Sequence, residues 1–145
     1  MFLFKNLFAL CTFLALLLSP ILSQANGETT DIMVQKLLET ERSWDGSLYQ
    51  KYPAGTPQLS VLKITIPPHS SLPWHEHPIP NAAYVLNGVL TVEKKATGET
   101  RTLKAGEVLP EMVGSAHRGY TGAEGATLIV FYAGQQGIAL SKPSN

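Results

Sequence analysis

The stretch Trp74-His75-Glu76-His77-Pro78 decides the fold that the sequence predicts. Alternate side chains of a β-strand lie on the same face, so on a strand His75 and His77 present two imidazoles side by side. A third histidine, His117, follows after a run of strand and turn signals. Neutral imidazole is a ligand for zinc, copper, iron and nickel, so a fold that returns His117 to the same place would form a metal site.

The sequence around these histidines predicts an all-β domain. Short apolar segments alternate with Gly and Pro turns, a pattern typical of an antiparallel sandwich or barrel. Asn87-Gly88 is a strong hairpin signal and predicts a tight turn between two strands. The expected strands are 59–66, 71–77, 81–86, 89–94, 100–103, 107–112, 115–120 and 126–133.

The first 25 residues predict a secretory signal peptide. Lys5 is their only charged residue, residues 7–18 are almost entirely apolar, and Ser23-Gln24-Ala25 has the small residues that a signal peptidase requires. The alternative is an uncleaved membrane anchor, for which the apolar core is short, because a span needs about 20 residues. We therefore expect cleavage after Ala25 and an exported protein, periplasmic or secreted, with no membrane attachment after cleavage.

The mature chain is expected to contain one domain with a flanking segment on each side. Residues 26–58 form an N-terminal arm and loop, 59–133 the barrel, and 134–145 a polar C-terminal tail that is expected to be loose. Residues 32–38 are apolar and have no obvious partner within the barrel. We expect them to take part in a homodimer.

Composition excludes several classes of function for this mature chain. Cleavage removes Cys11, the one cysteine, and with it any disulfide or thiolate chemistry. It also removes Lys5, which leaves ten basic and eleven acidic residues with no basic cluster. This balance argues against nucleic acid or an anionic membrane as a partner, so we expect a small-molecule ligand or substrate.

The spacing of the histidines resembles that of the cupin family of jelly-roll β-barrels, and in particular its small single-domain type-2 members. The first cupin motif contains a glycine, His-x-His, a glutamate and a second glycine. It matches His75, His77 and Gly88, with His69 at the first glycine position and Asn81 at the glutamate position. The second cupin motif matches at Gly106, Gly114 and His117. It differs at Met112, where the motif has a proline, and at Thr121, where it has an asparagine.

The resemblance implies a jelly-roll barrel in which both motifs converge on one divalent transition metal, iron, manganese, nickel, copper or zinc. The implied ligands are His75, His77, His117 and the residue at the glutamate position, here Asn81. An amide oxygen is a weak, uncharged ligand that suits harder cations. The alternative role of Asn81 is to orient a bound water or substrate by hydrogen bonding.

Glu111 is the candidate catalytic residue. Strand alternation within 107–112 places Leu109 and Glu111 on one face, which cupins commonly point inward. A carboxylate there would lie near the mouth of the metal pocket and would replace the missing glutamate as an acid, a base or a ligand. The alternative is a solvated strand residue, because burying an unpaired carboxylate is costly.

Three functions compete at this point. The first is a small exported metalloenzyme, of the dioxygenase, decarboxylase, isomerase or lyase type, that acts on a small oxygenated or carboxylated compound. The second is a non-catalytic module that binds a small ligand and retains the metal site. The third is a barrel with a vestigial site and a structural role. The fold hosts many functions and does not choose between them. A Glu111 that faces the metal with an open pocket beside it favours the enzyme. A Glu111 that faces solvent, with the pocket filled by Leu or Phe, favours the other two functions.

Overall fold

The computed structural model describes residues 31–145. Contacts between Cα atoms divide the chain into Met1–Met33 and Val34–Asn145, and the fold below is that of the second unit. The predicted signal peptide, residues 1–25, lies outside the described part. The described residues form no helix, and so none that is long and apolar enough to cross a membrane.

Residues 34–145 form eight β-strands and confirm the all-β prediction. Every pair of strands is antiparallel. The strand order is β1-β7-β3-β6-β2-β8, with β4 and β5 each paired to β3, and the sheet curls into a jelly-roll barrel. The strands are β1 Pro57–Ile66, β2 His75–Glu76, β3 Asn81–Lys94, β4 Thr100–Lys104, β5 Val108–Pro110, β6 His117–Tyr120, β7 Ala126–Gln135 and β8 Lys142–Pro143.

The core follows from alternation along the long strands. On β3, Ala83 and Val85 point inward and are fully buried, whereas Ala82, on the opposite face, is only half-buried. On β7, Leu128 and Val130 are buried in the same alternating way. Their inward faces enclose the apolar interior, whose other fully buried members include Ile79, Leu90, Val92, Leu103 and Leu109.

The hairpin predicted at Asn87-Gly88 is wrong. β3 runs through this point as one strand of 14 residues, and its register shifts between Val85 and Asn87. Gly88 has a φ of 79°, and a Cβ there would collide with the carbonyl oxygen of Gly125. The glycine therefore serves a bulge, which bends β3 from one half of the barrel into the other. A glycine bulge and a tight type I′ hairpin both need a residue with positive φ, so the same dipeptide is compatible with either.

The loose tail predicted at the C-terminus is also wrong. Strand β8 pairs with β2, and Ile138 and Leu140 are half-buried against the core. The backbone N–H of Ser144 donates to the carbonyl oxygen of Trp74 at 3.0 Å. Without β8, β2 would leave its unpaired edge open, so the tail covers an edge that its polar composition does not reveal.

The N-terminal flank contains a docked turn at residues 41–49. The backbone N–H of Trp44 donates to the carbonyl of Pro110, at 2.9 Å. The Asp45 carboxylate, whose side chain is 1% exposed, accepts from the Lys94 ammonium at 2.7 Å. The Tyr49 hydroxyl donates to the carbonyl oxygen of Glu111 at 2.7 Å. The turn is therefore tied to strands β3 and β5 and to the residue that follows β5.

Candidate metal centre

The two histidine motifs meet because β2 and β6 are neighbours in the sheet. His75 lies directly opposite His117 in the antiparallel pair. His77 follows β2, and its carbonyl oxygen accepts from the N–H of Gly114 at 2.8 Å. The ring centroids of His75 and His117 are 4.6 Å apart, and the other two pairs are 5.0 Å apart. One nitrogen from each ring lies within 4.8 Å of the other two, so the structure brings all three predicted histidines together.

Each ring is oriented by a hydrogen bond at Nδ1. The acceptors are the backbone carbonyl oxygens of Pro73 for His75, Leu140 for His77 and Ser115 for His117, each at 2.8 Å. A carbonyl oxygen only accepts, so in the neutral imidazole the proton is on Nδ1 and the lone pair is on Nε2. This is how proteins commonly orient histidines that bind metals.

A small cavity of about 40 Å³ adjoins the three rings. One wall is polar and consists of the histidines and Glu111, and the rest is apolar. One water molecule needs a cavity of about 10–15 Å³, so this cavity accommodates a few small atoms rather than a large ligand. The apolar and aromatic residues that line it are Ile64, Leu72, Leu90, Val92, Leu128, Val130 and Tyr132.

Glu111, the residue that follows β5, lies at this polar wall. Its N–H donates to the carbonyl of Asn81 at 3.0 Å, and its side chain is buried. Its Oε2 is 3.2 Å from Nε2 of His117. The oxygen nevertheless does not lie along the direction of an Nε2–H bond, and neither atom has a hydrogen-bond partner within the described residues. Two electron-rich atoms are thus buried side by side, an arrangement that a cation between or beside them would stabilise.

The charges of this pair are strongly coupled. Burial raises the pKa of the Glu111 carboxyl, but His117, with His77 and His75, outweighs burial and holds the pKa below its usual value. Burial lowers the pKa of the His117 imidazole, but Glu111 outweighs burial and raises it. The two pKa shifts have opposite directions because each group stabilises the charged form of the other.

The other two histidines have the opposite shift. Burial lowers the pKa of His75 and of His77, and the carbonyl and carboxylate groups near them offset this only in part. Both rings are therefore neutral at physiological pH, which is the form that binds a metal ion.

Asn81 is buried and shares the inward alternation of Ala83 and Val85. Its Nδ2 donates to the carbonyl of Ile79 at 3.3 Å, and its Oδ1 has no partner within the described residues. The cavity beside the histidines does not include Asn81, which borders a separate groove of about 620 Å³ next to residues 38–41 and 48–52. Its role as a ligand stays a prediction.

Asn81 and Glu111 are cross-strand neighbours, because Ala82 pairs with Pro110 in the β3–β5 register. Side chains directly opposite each other on neighbouring strands have Cβ atoms about 4.5–5.5 Å apart. The carboxylate that the cupin motif has at the position of Asn81 is therefore available one strand away, at Glu111.

Two contributors to the site were not predicted from the sequence. Tyr132 lines the cavity, and its ring centroid is 5.7 Å from that of His77. Burial, with the Glu111 charge, raises the pKa of Tyr132 to about 12. Alternation with Leu128 and Val130 on β7 gives it an inward direction, which the sequence could have shown. The Leu140 carbonyl had no such signal, because it lies in the polar tail.

No protein-family model matches the sequence, and no curated protein matches it. Solved structures do match. The chain is similar to the DMSP lyase DddQ from Ruegeria pomeroyi DSS-3, at 20% identity and a TM-score of 0.53, over 59% of this chain and 43% of that one. A cupin-like protein from Thermotoga maritima MSB8 matches at 17% identity and a TM-score of 0.52, over 60% and 65%. The polyketide cyclase RemF from Streptomyces resistomycificus matches at 19% identity and a TM-score of 0.53, over 63% of each chain.

These similarities show the fold, which is the cupin jelly roll that the two motifs imply. The chain spans less than two thirds of the length of each of the three proteins. Two of the three are enzymes, so the fold is one on which small-molecule catalysis occurs. The activities named are those of the matched proteins.

Proposed function

We propose that this protein is an exported, type-2 cupin in which His75, His77 and His117 bind one divalent transition metal ion, and that it is a metalloenzyme. Its substrate would be a small oxygenated or carboxylated compound, transformed by dioxygenase, decarboxylase, isomerase or lyase chemistry. Export is supported by the sequence of residues 1–25. Three imidazoles favour iron, manganese, nickel, copper or zinc over magnesium or calcium, which prefer oxygen ligands.

One observation carries the metal site. Three buried or half-buried rings direct their Nε2 lone pairs at one place, because each Nδ1–H donates to a backbone carbonyl oxygen. The nearby carboxylate oxygen of Glu111 has no proton donor. Burying electron-rich atoms together without a cation is costly, so this donor set fits a metal ion.

A metal ion bound there would supply Lewis acidity and could activate water or dioxygen. We assign to Glu111 the role of acid or base. Its carboxylate is ionised, it is held 3.2 Å from His117, and its backbone is fixed between Asn81 and the Tyr49 hydroxyl. A base held this firmly next to the ligands can take up a proton from a substrate at the same place.

Elemental analysis of the purified mature protein tests the site. We expect close to one transition metal ion per chain, and a sharp loss of occupancy in His75→Ala, His77→Ala and His117→Ala, since a three-ligand site has little redundancy. The barrel should stay folded, because it has a packed core. His69→Gly is the matched control: it removes the remaining histidine, which is exposed and has a φ of 53°, a value that glycine adopts easily. A triple-histidine variant that keeps its metal would contradict the proposal.

The alternative is a metal-binding module without catalysis, which the small volume of the cavity favours. The two functions differ in whether the ion keeps an open position for a substrate. Cobalt(II)-loaded protein shows this by its visible spectrum. Addition of acetate or azide should change the spectrum of an enzyme site, and Glu111→Gln should keep the metal while altering the response. A spectrum that no small anion changes would support the module.

A further inference from the structure

We propose that the C-terminal segment, residues 138–144, is a positioning element of the metal centre that acts through His77. It fixes the tautomer of that ring and so decides whether Nε2 of His77 is available as a ligand. The inference rests on the proposed metal site for its consequence. The positioning of the ring itself rests on hydrogen bonds alone.

The three histidines obtain their Nδ1 acceptors in two different ways. His75 and His117 each donate to the carbonyl of the residue two positions earlier, Pro73 and Ser115. These bonds form whenever the local chain takes its shape. His77 instead donates to Leu140, which is 63 residues away in sequence. One ligand in three therefore depends on a remote segment.

The segment is held against the strand that carries the histidines. Leu140 and Ile138 are half-buried against the core. In β8, Pro143 pairs with His75 and Lys142 with Glu76. The Ser144 N–H donates to the carbonyl of Trp74, and its own carbonyl accepts from the Lys95 ammonium at 3.3 Å. The Leu140 carbonyl is thus held next to His77 by the packing of residues 138 and 140 against the core and by the pairing of β8 with β2.

The His77 ring has little alternative to this acceptor. The residue is 3% exposed, and the bond to Leu140 is the one hydrogen bond that its ring makes within the described residues. A buried N–H without a partner is costly. Without the Leu140 carbonyl, the proton has no reason to stay on Nδ1, and a proton on Nε2 blocks the ligand atom. Loss of such an outer partner typically weakens metal binding by about 10- to 100-fold.

The test compares the mature chain with a chain that ends at Gly137. Long-range ¹H–¹⁵N NMR of the metal-free proteins reads the tautomer of each ring. We expect His77 to change from the Nδ1–H form to a mixture, while His75 keeps its form. Titration with Zn²⁺ against a chromophoric chelator should show an affinity about 10- to 100-fold weaker in the shortened chain.

Two further variants complete the test. Leu140→Ala keeps the carbonyl group but removes the side chain that anchors it, and covers the case in which the shortened chain does not fold. Deletion of residues 31–37 is the control of similar size at the other flank, where it should change neither the tautomer nor the Zn²⁺ affinity. An unchanged His77 tautomer in both C-terminal variants would overturn the inference. Failure of the mature chain to bind Zn²⁺ would instead overturn the proposed function, and the NMR result would still decide the positioning of His77.

Discussion

The two segments that flank the barrel differ in a way that their composition does not indicate. The N-terminal segment before the docked turn contains apolar residues, yet Val34 is 90% exposed and Leu37 51%. The C-terminal segment is mostly polar, yet it forms β8, packs Ile138 and Leu140 against the core and supplies the acceptor for His77.

The difference shows what decides whether a flanking segment packs. Strand β2 has a free edge, and His77 has a buried N–H that needs an acceptor; the C-terminal segment satisfies both. Unpaired strand edges and unsatisfied buried donors are each unfavourable. Residues 34–40 neither pair with a free strand edge nor accept from a buried donor within the described part of the chain. Specific polar partners, more than apolar content, therefore determine which flank becomes part of the domain.

The largest expected effect concerns the docked turn, which divides the N-terminal flank into a fixed and a free part. Asp45→Ala removes a buried carboxylate that accepts from Lys94, Ser43 and Ser47. We expect the free energy of unfolding to fall by about 2–3 kcal/mol, because Lys94 and the turn lose their partner. Urea unfolding measures this. Glu93→Ala, which breaks the more exposed pair with Arg118, is the control and should cost less than about 1 kcal/mol.

The contribution of Asp45 should also depend on pH. Burial raises the pKa of its carboxyl, but the Lys94 ammonium and the hydroxyl and N–H donors outweigh burial and hold the pKa well below its usual value. A group whose pKa is lower in the folded state stabilises above its unfolded pKa, about 3.9 for Asp. The difference between the native chain and Asp45→Asn should therefore be full above pH 4 and shrink as the pH falls below it. A difference that grew on acidification would contradict this assignment.

The second prediction compares one apolar residue from each flank. Leu140→Ala removes a half-buried side chain, so we expect a loss of about 1–2 kcal/mol in the free energy of unfolding. Val34→Ala removes an exposed side chain and should change it by less than about 0.5 kcal/mol. Equal effects of the two substitutions in the monomer would show that the flanks do not differ as described.

The features that the sequence predicted correctly are those that depend on local alternation. The jelly roll follows from strand alternation and the histidine spacing. The errors arose where a distant part of the chain decides. Gly88 serves a bulge because β3 pairs with β7 on one side of it and with β4 on the other. The Leu140 carbonyl meets His77 across 63 residues of sequence, and nothing in its neighbours along the chain indicates this contact.

The third prediction concerns two buried carboxylates that differ in their partners. Asp45 accepts from Lys94, whose pKa is raised by that contact, so its cation is permanent. Glu111 faces imidazoles, and it raises the pKa of His117, so below that pKa the ring carries a second proton, on Nε2. Metal binding must displace that proton, so affinity should fall as the pH drops below the pKa of His117. We expect a decrease of up to about tenfold per pH unit, measured by Zn²⁺ competition. Glu111→Gln should flatten this dependence.

The smallest effect on the monomer is expected from the free part of the N-terminal flank, and there the effect should appear in assembly instead. Residues 32–38 are apolar except for Gln35 and Lys36. A second exposed apolar group lies on the outer face of β1 and β7, where Val61 pairs with Phe131. These two side chains are 63% and 42% exposed. Apolar surface of this kind is commonly covered by a second chain, so we predict a homodimer.

Light scattering across a concentration series tests this prediction. Deletion of residues 31–37, or Val61→Lys, should shift the dimer towards monomer while leaving the unfolding free energy of the monomer within about 0.5 kcal/mol. Leu86→Lys is the matched control, since Leu86 is similarly exposed at 48% but lies at the bulge of β3, four residues along that strand from Ala82, the partner of Phe131. A protein that stays monomeric at micromolar concentration would contradict the dimer. The exposed N-terminal residues would then differ from the C-terminal segment in having no partner in either the same chain or a second copy, and the contrast between the two flanks would become sharper.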